Sequence, residues 1–115
     1  MIQGIHHIAI IASSEESIAF YGKLGFLESF RKARACDTVV LMEGHGMELE
    51  IFIDPKHPAR ATNPENLGVR HIAFRVDDLE EMVEVFDCQP IMTDWKGFRY
   101  TYTLDPDGLP IEFHE

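Results

Sequence analysis

Apolar and polar residues alternate along several short segments of the chain, and helix-start signals interrupt that alternation. In the first half, the alternation predicts strands at about residues 4–11, 27–33, 37–42 and 47–53. After the first strand, Ser13 and Glu16 form a capping-box pattern. This pattern predicts a helix that continues to about Lys23 and ends at Gly25.

The second half repeats this order. Strands are predicted at about 70–76, 90–93, 98–104 and 109–114, and Asp78 with Glu81 forms a second capping box before a helix. The expected fold class is therefore α+β, with two βαβββ modules. Module 1 covers about 1–53, a proline-containing linker about 54–68, and module 2 about 69–115. Each module is too small to bury a core alone, so we expect residues 1–115 to form a single domain.

A short motif occurs once in each module. Residues 5–10 read Ile-His-His-Ile-Ala-Ile, and residues 69–74 read Val-Arg-His-Ile-Ala-Phe. In each module a glycine also precedes a glutamate by four residues, as Gly46 precedes Glu50 and Gly108 precedes Glu112. Such an internal repeat determines the architecture, and here each copy supplies one histidine and one carboxylate.

Strand parity places these four residues on one type of face. Side chains alternate with period two, so each histidine and each glutamate lies opposite the strongly apolar positions of its strand. Two imidazoles and two carboxylates suit a divalent ion, and the sequence predicts a metal site formed by His7, Glu50, His71 and Glu112. Three neighbours have alternative interpretations. His6 is interpreted as structural on the apolar face, Glu48 as a rim residue or alternative ligand, and His114 as a supporting or simply exposed residue.

Composition restricts the partners. The net charge of −10 opposes binding to nucleic acid or an anionic membrane, because both need a basic face. Two cysteines are too few for a disulfide scaffold, and no apolar run approaches the ~20 residues that span a bilayer. The N-terminus lacks signal-peptide features, and a cytoplasmic location is expected.

The chain resembles the vicinal-oxygen-chelate superfamily, which includes glyoxalase I, extradiol dioxygenases and the fosfomycin- and bleomycin-resistance proteins. The resemblance covers nearly the whole chain and is strongest to small bacterial glyoxalase I-like proteins. It rests on the segments at 7–10, 17–26, 48–52, 68–78 and 105–113. It implies two βαβββ modules that form a half-open barrel around a divalent metal.

The four predicted ligands match the glyoxalase I pattern, whereas extradiol dioxygenases would use only His7, His71 and Glu112. The resemblance thus implies a lactoylglutathione lyase-like enzyme of the carbon–sulfur lyase class. Its substrate would be small, with adjacent oxygens, such as a 2-oxoaldehyde–thiol hemithioacetal. Glu112 or Glu50 would act as general base in enediolate proton transfer. The alternatives are an iron-dependent dioxygenase-like enzyme and a non-catalytic small-molecule binding or resistance protein.

Nickel or zinc is the favoured ion, and cobalt, manganese or iron also suits this ligand set. The expected partners are a small-molecule substrate and a second copy in a homodimer, since several relatives build the site at a dimer interface. Five arginines are candidates for holding substrate anions, although surface ion pairs are expected for most: Arg31, Arg34, Arg70, Arg75 and Arg99. Aromatic residues could line the pocket or simply pack on the sheet: Trp95, Phe98, Tyr100 and Tyr102.

Overall fold

Each half of the chain folds into a four-stranded sheet with one short helix. The computed structural model describes residues 1–115 and contains two units, Met1–Pro58 and Ala59–Glu115. The boundary between them falls inside the predicted linker. The predicted βαβββ order is confirmed in both units.

Unit 1 contains five elements. In chain order they are β1 (His7–Ala12), α1 (Glu16–Lys23), β2 (Leu27–Ala33), β3 (Thr38–Gly44) and β4 (Met47–Ile53). The strand order is β1-β4-β3-β2, with β1 parallel to β4 and the other pairs antiparallel. The turn between β3 and β4 has positive φ at His45 (53°) and Gly46 (75°), as a two-residue hairpin loop requires.

Unit 2 has the same plan. Its elements are β5 (Ile72–Arg75), α2 (Leu79–Val85), β6 (Met92–Thr93), β7 (Arg99–Leu104) and β8 (Pro110–His114). The order β5-β8-β7-β6 again pairs the first strand in parallel with the last. At eight and seven residues, neither α1 nor α2 is long enough to cross a membrane.

The core of each unit lies on the predicted apolar face of its central strands. Leu49 and Ile51 are fully buried in unit 1, and Ile111 and Phe113 are fully buried in unit 2. Helix residues complete each core, with Tyr21 buried from α1 and Leu79 from α2. The intervening residues of the same strands are therefore left on the opposite face.

The two helix starts differ from one another. Asp78 caps α2 as predicted, because its Oδ1 accepts a hydrogen bond from the Glu81 backbone N–H at 3.0 Å. The capping box predicted at Ser13 and Glu16 is wrong, since the cap position of α1 is Glu15 and makes no side-chain cap bond. The backbone N–H of Glu16 instead donates to Ser14 Oγ at 3.3 Å. The helix begins later than the sequence pattern indicated because the chain first turns through Ser13 and Ser14.

Candidate metal centre

In unit 1, the parallel pairing of β1 and β4 brings His7 next to Glu50. The pairing aligns Ala9 with Glu50, so the small alanine side chain leaves space in front of the carboxylate. His7 Nε2 lies 3.5 Å from Glu50 Oε2. The predicted histidine and glutamate of this unit are therefore neighbours on its polar face.

Unit 2 repeats this arrangement in the same register. Ala73 is aligned with Glu112 across β5 and β8, as Ala9 is with Glu50. His71 Nε2 lies 3.4 Å from Glu112 Oε1. The sequence repeat is thus also a repeat of side-chain geometry.

Within each pair, the donor atoms are spaced as two ligands of one divalent ion would be. Separations of 3.4 and 3.5 Å are longer than a normal N–H···O hydrogen bond. Metal–nitrogen and metal–oxygen bonds of about 2.0–2.2 Å would place two neighbouring ligand atoms about 3–3.5 Å apart. All four side chains are partly accessible, from 13% at Glu112 to 38% at His7. An ion could therefore reach either pair from solvent.

Tyr102 gives the second pair a hydrogen-bonding partner that we did not predict. Its hydroxyl donates to Glu112 Oε1 at 2.6 Å and lies 3.4 Å from His71 Nε2. Burial, followed by the bond to Glu112, raises the pKa of Tyr102 to about 12. Tyr102 therefore remains protonated as a donor. Counting residues outward from the β7–β8 turn in the sequence would have identified this partner, because Tyr102 is aligned with Glu112 in the antiparallel pair.

The two histidines differ at their other ring nitrogen. His7 Nδ1 lies 2.9 Å from His6 Nδ1, whereas His71 Nδ1 is buried and has no hydrogen-bond partner in the protein. In both residues Nε2 is the nitrogen that faces the glutamate. Nε2 is therefore the ligand atom that each histidine would offer.

The interpretation of His6 as a packed residue on the apolar face is wrong. Its side chain is 85% exposed, because it precedes β1 and is not constrained by the sheet. His6, His7 and Glu48 bring one potential ligand atom each to within 4.8 Å of one another. Glu48 thus remains an alternative ligand in unit 1, although Glu50 is the residue equivalent to Glu112.

His114 is neither free nor simply exposed. Its Nε2 lies 3.0 Å from Asp94 Oδ2, and its Nδ1 lies 2.7 Å from the Glu115 carbonyl oxygen. The hydrogen bond to Asp94 is the main reason that the pKa of His114 is raised. The ring also stacks on Tyr100 at an interplanar angle of 13°. His114 therefore forms a polar cluster with Asp94 and Tyr100, two residues along β8 from Glu112.

Most arginines form ion pairs, as expected. Four are held by carboxylates: Arg31 by Glu15 and Glu28, Arg34 by Asp37, Arg70 by Glu65, and Arg99 by Glu80 and Glu115. Arg75 makes no ion pair and no side-chain hydrogen bond. It is the only one of the five candidates that remains available to an anionic ligand.

Comparison with known proteins agrees with this architecture. The uncharacterized protein YwkD of Bacillus subtilis is 40% identical, over 100% of this chain and 98% of that protein. The crystal structure of a glyoxalase family protein from Enterococcus faecalis is 39% identical and superposes with a TM-score of 0.93, covering 99% of this chain and 98% of that one. Chains this similar along their full lengths share one fold.

More distant structures show the same fold. Lactoylglutathione lyase from Agrobacterium tumefaciens has a TM-score of 0.68 at 23% identity, covering 99% of this chain and 94% of that one. A mutant of the fosfomycin resistance protein FosX from Listeria monocytogenes, complexed with Mn(II) and 1S,2S-dihydroxypropylphosphonic acid, has a TM-score of 0.77 at 21% identity, covering 99% of this chain and 93% of that one. The Glyoxalase/Bleomycin resistance protein/Dioxygenase superfamily model matches residues 4–113. The chain therefore belongs to this superfamily and has its fold.

Proposed function

We propose that this protein is a metal-dependent enzyme of the glyoxalase I type. It would isomerise a small substrate with adjacent oxygens, such as a 2-oxoaldehyde–thiol hemithioacetal. The observation that carries the proposal is the same histidine–glutamate contact, at 3.5 and 3.4 Å, in equivalent positions of both units. A single solvent-facing histidine–glutamate pair is common in proteins. The repetition of the pair in the same strand register of both units supports a common function for the two pairs.

The proposed ligand set is His7, Glu50, His71 and Glu112, two residues from each unit, in one chain or across two. Four protein ligands on a six-coordinate ion leave two positions for adjacent substrate oxygens. When bound, such an ion would supply Lewis acidity. The carbon–hydrogen bond on the carbon that bears one of those oxygens would then ionise more easily. The mixed nitrogen and oxygen donors favour nickel or zinc, and also suit cobalt, manganese or iron.

The two glutamates have different surroundings, which supports different roles. Glu112 is held by the Tyr102 hydroxyl at 2.6 Å, whereas Glu50 accepts no side-chain hydrogen bond. Glu50 is also the more accessible, at 26% against 13%. A general base must move towards the proton that it accepts and then return it to the neighbouring carbon. We therefore assign the base role to Glu50 and an anchored, ligand-holding role to Glu112.

Metal content tests the ligand set directly. We would purify the protein without chelator or an affinity metal and measure bound metal per chain in the wild type, His7→Ala and His71→Ala. Each histidine variant should lose stoichiometric metal. Full metal content in both variants would contradict the assignment. An isomerase screen with several 2-oxoaldehyde–thiol adducts would then test activity.

Glu50→Gln and Glu48→Gln form a matched pair for the carboxylate. Both keep the side-chain shape and remove one charge from β4, two residues apart. Glu50→Gln should weaken metal binding and suppress isomerase turnover, whereas Glu48→Gln should change both much less. The reverse result would make Glu48 the ligand. Undiminished iron-dependent oxygen consumption in Glu50→Gln would instead support the dioxygenase alternative, which needs only His7, His71 and Glu112.

A further inference from the structure

A recess lies on the polar face of unit 2, at the aligned pair Arg75 and His114, which is two residues along β5 and β8 from the pair Ala73 and Glu112. Its cavity volume is about 580 Å³, within the usual range for small-molecule sites. The residues that matter for its chemistry are Arg75, Lys96, Trp95, Phe98, Asp94 and Glu115. Two residues along a strand correspond to about 7 Å, so a small molecule could reach both aligned pairs.

The charges of this recess favour an anion, although the whole chain is acidic. Asp94 is already occupied, because it accepts hydrogen bonds from the backbone N–H groups of Lys96 at 2.8 Å and Phe98 at 2.9 Å and pairs with His114. Glu115 is occupied by Arg99, with contacts of 2.5 to 3.1 Å. The carboxylates of the recess therefore already have partners.

The cations of the recess are unpaired. The Arg75 guanidinium and the Lys96 ammonium make no ion pair and no hydrogen bond. The other five arginines are bound to carboxylates or, for Arg60, to the carbonyl oxygens of Val69 and Arg70. Although the chain has a net charge of −10, Arg75 is the one arginine of six whose guanidinium has neither a carboxylate nor a carbonyl partner. A guanidinium has the donor geometry that binds a carboxylate through two parallel bonds.

Two aromatic side chains border the same recess. Trp95 is 96% exposed and Phe98 51% exposed, so neither contributes to the core. The turn that carries Trp95 is well held, because Gly97 N–H donates to the Asp94 carbonyl at 3.1 Å and Asp94 Oδ1 accepts two further backbone bonds. Exposed aromatic rings carried by such a turn offer a flat surface against which an apolar or aromatic group can stack.

We propose that this recess is a substrate-binding subsite for a carboxylate attached to an apolar or aromatic body. Arg75, assisted by Lys96, binds the carboxylate, and Trp95 and Phe98 contact the body. The inference rests on the proposed function in one respect. The adjacent oxygens of the same substrate would lie near Glu112, two residues along the strand from the recess. It narrows the substrate class to organic acids and makes Arg75 a determinant of specificity.

Trp95 is the only tryptophan, so its fluorescence reports on this recess. We would titrate the metal-free full chain with phenylacetate and, in parallel, with the neutral phenylacetamide. Phenylacetate should produce a saturable change in emission, and phenylacetamide should bind at least about tenfold more weakly, as expected for loss of a hydrogen bond to a charged group. Equal affinity for the two probes, or no saturable change with phenylacetate, would overturn the proposal.

Variants locate the carboxylate contact. Arg75→Met should raise the dissociation constant for phenylacetate at least about tenfold. Lys96→Met should raise it about two- to fivefold, as expected for an exposed pair. Arg31→Met, which removes a surface arginine from the other unit, is the control and should leave the constant unchanged. If Arg75→Met and Lys96→Met both bind phenylacetate like the wild type, or if Arg31→Met weakens binding equally, Arg75 is not the recognition residue.

This titration needs neither metal nor turnover, so the two proposals can fail separately. If phenylacetate binds as expected, but His7→Ala and His71→Ala both retain full metal content, the proposed function is contradicted and the subsite proposal stands. If the wild type has stoichiometric metal and isomerase activity, but Arg75→Met does not change the dissociation constant for phenylacetate, only the subsite proposal is contradicted.

Discussion

The Tyr102 hydroxyl donates a 2.6 Å hydrogen bond to Glu112, which lies directly opposite it on the neighbouring strand. The contact ties one proposed metal ligand to a side chain outside the proposed ligand set. Partners of this kind hold a ligand in orientation and tune its affinity for metal. Glu50 has no equivalent partner, so this bond is the main difference between the two halves of the proposed site.

Removal of the Tyr102 hydroxyl should weaken metal binding. We expect Tyr102→Phe to bind the ion about 10- to 100-fold more weakly, because Glu112 loses its anchor. Isothermal titration with zinc or nickel would measure the change. Tyr100→Phe is the matched control, since Tyr100 stacks on His114 and does not contact Glu112. Equal affinities in the wild type and Tyr102→Phe would exclude an anchoring role.

The same bond should also be visible at alkaline pH. The pKa of Tyr102 is raised to about 12 in the folded protein, above the ordinary value of about 10. Its contribution to stability is therefore complete below about pH 10 and is lost as the pH rises towards 12. Phenolate absorbance of the metal-free protein should show a late ionisation that Tyr102→Phe lacks. A late ionisation that persists in the variant would assign it to another tyrosine.

Metal should stabilise the fold in a pH-dependent manner. The ion would bind the folded site and not the unfolded chain, so it should raise the melting temperature by mass action. Histidine ligands must be neutral, and an ordinary imidazole is protonated below about pH 6.5. The thermal shift on adding metal should be large near neutral pH and largely absent near pH ~5. A shift that is independent of pH would argue against histidine ligands.

The contact between His114 and Asp94 makes a separate prediction. The pKa of His114 is raised above its ordinary value, chiefly by the hydrogen bond to Asp94. The contact thus contributes fully below about pH 6.5, and its contribution is lost as the pH rises through the raised pKa. In Asp94→Asn, NMR titration of the metal-free protein should show a lower His114 pKa. An unchanged value would mean that Asp94 does not control this group.

We also predict a homodimer. The edge strand β2 has all seven residues exposed, including Leu27 at 75% and Phe30 at 54%, and these apolar side chains could pack against a second copy. Light scattering at micromolar concentration should give the mass of two chains, and Phe30→Asp should shift the protein towards monomer. If the wild type is monomeric with metal bound, all ligands must come from one chain.

Local sequence patterns determined the secondary structure and the facial placement of the proposed ligands. Alternation with period two predicted that His7 and His71, like Glu50 and Glu112, lie opposite the buried positions, and both units bear this out. This prediction succeeded because the facing of a side chain along a strand depends only on its neighbours in the chain. Only the start of α1 was predicted wrongly from sequence, since Ser13, Ser14 and Glu15 could each begin that helix.

Tertiary structure decided which side chains meet. Strand register places Tyr102 against Glu112 and Arg75 in the row beside it, and register depends on pairing between distant segments as well as on local pattern. Tertiary structure also decided three further features, which local pattern does not specify: the exposure of His6, the pairing of Asp94 with His114, and the absence of a partner for the Arg75 guanidinium. The sequence alone therefore determined which residues were candidates, and packing decided which of them lie close together.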